Sequence, residues 1–312
     1  MSDATAEAAP TAEAAAAIAA TSRRGVAMVT AAAASWGLWS LFLRPTGLPA
    51  AVTSPLVFAL MGLLALPLAR RGAAPRWSRR ARRLLVANAA CDALNVLTFF
   101  AAMDQTSVAI AVLTHYVAPI LVALAAPWID RERNPAAVGA AALALAGLAL
   151  VLEPWRHGVE WWGATLGLVS ACAYAGNVFI VRRLAAEIGA ARAICYHSLL
   201  AAVLLAPLAW LTPAPALTAG ALALLIAASA TIGAGSGILY VGGLARIGSA
   251  RSGVLTFAEP LVAVAVGIVV WREPATLTML LGGGLVLLAG LWVVRGGSAT
   301  ELPSPAPPPH RS

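Results

Sequence analysis

AVLTHYVAPILVALAAPWIDRE, residues 111–132, lies without gaps on SGVLTFAEPLVAVAVGIVVWRE, residues 252–273. The superposition pairs Pro119 with Pro260, Arg131 with Arg272 and Glu132 with Glu273 at a single offset. These are uncommon residue types inside alanine- and leucine-rich segments, so agreement at all three marks an internal repeat rather than shared composition. The match extends outward. Beyond a two-residue difference in the following loop, Gly139 and Gly147 meet Gly282 and Gly290; upstream, Arg44 meets Arg182 and Pro67 meets Pro207. Two related halves are therefore expected, 23–153 and 154–295. The Ala/Glu/Thr/Pro-rich residues 1–22 and the Pro/Ser-rich residues 296–312 lack the apolar patterning needed to bury a core and are expected to be disordered tails.

The solvent for these halves is lipid. Of 312 residues 61% are hydrophobic and 11% charged, and the mean hydropathy is +0.84, where a soluble domain carries about 25% charged residues. Ten apolar stretches lie near 25–43, 52–69, 84–103, 107–128, 135–152, 161–181, 191–211, 217–241, 248–271 and 275–294. Each is long enough, at about 1.5 Å per residue, to cross a hydrocarbon core of roughly 30 Å. They are continuous rather than alternating, which excludes barrel strands and leaves helices as the way to satisfy the backbone in lipid. Because each half holds an odd number of spans, the second half enters the membrane in the opposite sense. The fold class expected is all-α integral membrane, ten transmembrane helices arranged as two inverted five-helix repeats, a plan that suits alternating access to a site between the halves.

All 21 cations are Arg. The absence of Lys excludes a P-loop GK[ST] motif and any Lys Schiff base. The net charge of +8 is spread between apolar runs instead of forming one face, so no nucleic-acid partner is expected. With the N-terminus in the cytoplasm, 18 of the 21 Arg fall in inside segments and Arg44, Arg156 and Arg272 fall outside. This split predicts both termini in the cytoplasm of a bacterial-type inner membrane. The start does not read as a secretory signal, because Arg23 and Arg24 come after more than twenty residues and lead into a full span. Cys91, Cys172 and Cys195 sit inside apolar segments without metal-ligand spacing and read as buried free thiols.

The proline-centred segment with its following Arg-Glu, its repetition, and the second-half phrase Phe257-Ala258-Glu259-Pro260 resemble the EamA-type transporters of the drug/metabolite transporter superfamily, over roughly residues 25–295. The resemblance implies ten helices, two EamA repeats and export of amino acids, metabolites or drugs. It implies no particular substrate. One departure stands out: the Arg often seen within the second helix of a repeat is replaced near that place by Val57-Phe58-Ala59 and Tyr196-His197-Ser198.

Of 13 acidic residues only Asp92 and Glu259 fall well inside expected spans. A carboxylate at the bilayer centre costs about 2.5 to 3.5 kcal/mol on insertion scales, so each should face a partner or a wet cavity. Asn88, Asp92 and Asn95 form a one-faced stripe on helix 3; their repeat counterparts on helix 8 are Ser229, Gly233 and Ser236. Ser252, Thr256 and Glu259 form a stripe on helix 9 ending before Pro260, which removes a backbone donor and could open the helix; on helix 4 the equivalent positions are Ala111, His115 and Ala118. Helix 6 carries Ser170, Tyr174 and Asn177, opposite Ala32, Trp36 and Trp39 of helix 1.

The substrate-binding set expected is thus Trp36, Asn88, Asp92, Asn95, His115, Tyr174, Asn177, Ser236, Thr256 and Glu259, lining a cavity between helices 1, 3, 4, 6, 8 and 9, with Asp92 and Glu259 as proton-coupling candidates. The alternative reading of the Ser, Thr and Asn positions is interhelical hydrogen bonding, worth about 0.6 kcal/mol each. A lone intramembrane His such as His115 or His197 can likewise be satisfied structurally. Glu132 and Glu273 read as capping or pairing groups at span ends. The function expected is secondary transport by alternating access, exporting a small-molecule substrate (a metabolite, amino acid or drug) across the lipid bilayer, with no catalytic residues, metal or cofactor; a homodimer is left open. The competing readings are an intramembrane enzyme, for which no HExxH or GxSxG motif is present, and a non-transporting receptor.

Overall fold

The computed structural model describes residues 12–73, 75, 77–156, 160–296 and 300–301. Among these, ten helical spans are long and apolar enough to cross a membrane: α1 (Ala19–Thr46), α2 (Ala50–Ala69), α3 (Arg79–Gln105), α4 (Val108–Ile129), α5 (Pro135–Arg156), α6 (Trp161–Ile188), α7 (Ala190–Leu211), α8 (Ala219–Ile247), α9 (Ser249–Val269) and α10 (Leu277–Arg295). Their starts are written locally. Ser78, Ser107, Thr218 and Thr276 each accept a hydrogen bond from a backbone N–H three residues on, at 2.9 to 3.3 Å, and so cap α3, α4, α8 and α10. Pro135 begins α5, where its missing N–H is harmless.

The helices outrun the apolar stretches at several ends because Ala and Arg are strong helix formers that carry no hydropathy signal for a span. The helix of α1 begins at Ala12, inside the segment expected to be a tail. At the other end a two-residue strand β1 (Glu132–Arg133) pairs antiparallel with β2 (Thr300–Glu301), so part of the expected C-terminal tail is paired backbone. Residues 1–11 and 302–312 of the two tails lie outside the described residues.

The repeat is visible in the packing. The most extensive pairings are α2 with α7, α3 with α6, α5 with α10 and α1 with α8, and α4 also packs on α9. Exchanging the halves maps this set onto itself. Small residues set the spacing: Ala137, Ala140, Ala141 and Ala144 of α5 are fully buried, and α5 crosses α10 so closely at Gly147 and Gly282 that a Cβ on Gly147 would lie 2.6 Å from the Gly282 carbonyl oxygen. Tryptophans near span ends, such as Trp128 and Trp161 at 79% exposed, face outward as an interfacial belt.

Four spans are irregular near their middles. α4 breaks at Tyr116–Val117 and α9 at Thr256–Phe257, repeat-equivalent places, each just before a proline. α1 breaks at Gly37–Leu38, where it crosses the α9 break; a Cβ on Gly37 would sit 2.5 Å from the Glu259 carbonyl oxygen. α8 widens into a π-helical stretch, Ser229–Gly235. Irregular backbone at this depth persists only where protein covers it.

Backbone cannot yield at the α5–α10 crossing. Gly147→Val is therefore expected to overpack it by about 1–3 kcal/mol, read as a lowered thermal midpoint in detergent; an unchanged midpoint would show that the crossing is not tight.

Candidate functional site

A cavity of about 660 Å³ lies between α1, α2, α3, α6, α7 and α8, within the range typical of small-molecule sites. Its mouth is formed where α1 turns into α2, at Leu43, Arg44, Leu48 and Ala50. Its walls are largely aromatic, with Trp36, Phe58, Phe99, Tyr174 and Tyr240, and its depth holds Asp92, Asn177 and His197 above Val181 and Ile194. α2 and α7 thus stand where α4 and α9 were expected. The reason lies in the helix breaks: α4 and α9 turn their interrupted centres toward each other, with a Gly253 Cβ position only 3.5 Å from Pro119, and leave the cavity wall to their neighbours.

Asp92 is the polar centre. It lies midway along α3, 7% exposed, and receives hydrogen bonds from three directions. Asn88 Nδ2 donates to Oδ2 at 3.3 Å from one turn below, Asn177 Nδ2 of α6 donates to Oδ1, and His197 Nδ1 of α7 meets Oδ2 at 2.5 Å. Asn88 and His197 are buried too. Among the described residues, His197 Nε2, Asn88 Oδ1 and the Tyr240 hydroxyl are buried polar atoms with no partner in the chain. Three polar groups converge on one carboxylate beside unpartnered polar atoms, so the intramembrane acid is paired while facing a cavity, as its cost in hydrocarbon requires.

The other expected residues divide into two groups. Trp36, Tyr174 and Asn177 line the cavity with Asp92. His115, Asn95 and Ser170 form a separate chain behind the Tyr174 ring: His115 Nδ1 meets Ser170 Oγ at 2.8 Å, and Ser170 donates to Asn95 Oδ1 at 2.6 Å. The imidazole is boxed by Phe99, Tyr116 and Tyr174, with ring centroids 4.9 to 5.5 Å away. Thr256 spends its hydroxyl on the Gly253 carbonyl at 2.6 Å. Partly buried Glu259 sits beside the Tyr116 hydroxyl at the α9 break and does not line the cavity. Ser236 bonds Ser35 of α1 at 2.6 Å and the Thr231 carbonyl at 3.1 Å, while Trp36 Nε1 donates to the Ile232 carbonyl at 3.2 Å. These last contacts satisfy carbonyls that the π-helical stretch displaces, so Trp36 both lines the cavity and holds α8 open.

His197, read from sequence as a histidine that can be satisfied structurally, was left out of the expected set, yet it meets Asp92. It stands alone on α7 without a polar stripe, and its partner is 105 residues away. Among the described residues no three His, Cys, Asp or Glu side chains gather to hold a metal ion.

Ten spans in two inverted halves around a midplane cavity define a membrane transporter. Residues 23–153 and 161–295 each match the model of the EamA-like transporter family, and the chain belongs to that family. It is 28% identical over 266 residues to an uncharacterized transporter of Archaeoglobus fulgidus, across 85% of this chain and 94% of the relative. A protein of known crystal structure superposes with a TM-score of 0.77 at 19% identity, covering 87% of this chain and 98% of the other.

Asp92 and His197 should be energetically coupled. We predict that His197→Gln and Asp92→Asn each lower the thermal midpoint and that the double variant loses less than their sum, by about 0.5–3 kcal/mol. Strict additivity would show that the two side chains do not depend on each other.

Proposed function

We propose that this EamA-family transporter is a secondary exporter that works by alternating access, and that protons are exchanged for substrate at the Asp92–His197 pair. The observation that carries the reading is the single acid at the depth of an aromatic-walled cavity, held by three donors. A substrate bearing an amino group can take the proton's place on Asp92, so that the buried charge is conserved through the exchange. Trp36, Phe58, Phe99 and Tyr240 offer ring faces to an apolar body or to the cation itself. Small organic amines, amino acids and amphipathic drugs fit this chemistry. Export is the direction that the family resemblance implies, and the Arg distribution supports an orientation with both termini inside a bacterial inner membrane and the cavity mouth at its outer face.

In proteoliposomes, a panel of labelled amines and amino acids is expected to include a compound whose uptake is driven by a pH gradient. Asp92→Asn, which removes both the proton site and the counter-charge for the amino group, should reduce both that driven uptake and the exchange of labelled for unlabelled substrate by about tenfold or more. Flux that ignores the gradient in the unaltered protein would remove proton coupling; no flux for any compound would remove transport of this class. Orientation has its own check: a C-terminal tag should be protease-sensitive in inside-out vesicles and protected in intact cells. The opposite pattern would reverse the assignment of faces.

A further inference from the structure

Two ion pairs sit at opposite ends of the molecule and are copies of each other under the repeat. At the end away from the cavity mouth, Arg182 Nη1 of α6 donates to Asp130 Oδ2 at 2.8 Å and to the Glu132 carboxylate, and Arg183 Nη2 meets Asp130 Oδ1 at 2.7 Å. The start of α9 joins them. Ser249 N–H donates to Glu132 Oε2 at 2.8 Å, and its hydroxyl meets Asp130 Oδ2 at 2.5 Å. Both carboxylates are buried, 5% and 3% exposed. Burial pushes the Glu132 carboxyl up from its ordinary value, and the Arg182 guanidinium pulls it back. Gly248 makes room for this: a Cβ there would lie 2.5 Å from Glu132 Cδ.

At the cavity mouth, Arg44 of α1 pairs with Glu273 at 3.3 Å, with both side chains about half exposed, and lies 5.0 Å from the centre of the Trp271 ring. Arg44 is the repeat counterpart of Arg182, and Trp271-Arg272-Glu273 is the counterpart of Asp130-Arg131-Glu132. Even the backbone is copied. Arg131 and Arg272 have φ of 58° and 59°, two of the three non-glycine residues with positive φ among those described. That conformation is uncommon and strained for Arg, so its recurrence at equivalent positions marks the hook as a built device.

We propose that the two hooks are alternating latches. With the cavity open at the Arg44 face, Asp130 and Glu132 tie α4, α6 and α9 shut at the far face. When the cavity closes at the Arg44 face, Glu273, already paired with Arg44, also takes the backbone N–H at the start of α4, at Val108, the counterpart of Ser249, and Glu132 gives up the Ser249 N–H at the far face. The latches are unequal: Arg182 and Arg183 meet two carboxylates at the far face, whereas Arg44 meets one carboxylate and a ring at the mouth. The resting protein accordingly stands open at the Arg44 face. This inference rests on the alternating-access reading of the proposed function.

The test reads conformation and flux separately. Ser54→Cys reports the cavity mouth, and Ala126→Cys, fully buried one turn before Asp130, reports the far face; alkylation of each by a maleimide is followed at the peptide level. Glu132→Gln should raise the Ala126→Cys rate by about tenfold and lower the Ser54→Cys rate. Ser249→Ala, which keeps the ion pair, should shift both rates the same way by less. Glu273→Gln should leave the Ala126→Cys rate unchanged. A rise at both reporters, which is local unfolding, or no change at either, overturns the latch. The same preparations are reconstituted for flux. Reciprocal reactivity without any flux rejects the transport reading and leaves the latch standing; flux without reciprocity rejects the latch alone.

Discussion

In hydrocarbon no water is present to hydrogen-bond a broken helix, so every displaced backbone group must find its partner inside the protein. The interruptions of α1, α4, α8 and α9 obey this constraint together. The α4 and α9 breaks face each other across Pro119 and Gly253, the α1 break rides on the α9 break at Gly37, and the carbonyls displaced by the π-helical stretch of α8 are covered by Trp36 and Ser236. Gathering these breaks at the centre fixes which helices touch there. The cavity is what remains beside them, walled by the unbroken spans α2, α3, α6 and α7 together with α1 and α8.

The chemistry of the site follows from the same economy of partners. An acid placed midway along α3 must be satisfied by side chains, and Asn88, Asn177 and His197 supply three donors from three helices. Glu259 is placed differently. It sits at a break, beside a tyrosine hydroxyl and outside the cavity. Two intramembrane acids of one chain thus have distinct surroundings: Asp92 lines the cavity and Glu259 does not.

How far the site was legible depends on where each partner lies. Asp92 and Asn88 announce themselves because helical periodicity puts them on one face, and Asn177 does so through the stripe it shares with Tyr174. His115 and Ser170 are equally periodic, yet they bond to each other and to Asn95 behind the cavity wall. His197 carried no periodic signal at all. Arg182 and Glu132 were each visible as halves of repeat-equivalent pairs, Arg44 with Arg182 and Glu132 with Glu273, but nothing in an alignment says that the first members meet the second across 50 residues.

The sequence by itself determined that the chain lives in a membrane, crosses it ten times and is built as two inverted halves. Those properties are set by span length, by the parity of five and by a gapless repeat, all of which are one-dimensional. Tertiary structure decided which helices wall the cavity, that His197 rather than Glu259 attends Asp92, and that one Arg–Glu pair is buried while its copy is exposed. Those depend on how broken helices rotate about their axes to cover their own backbone, and rotation about an axis leaves no trace in the order of residues along it.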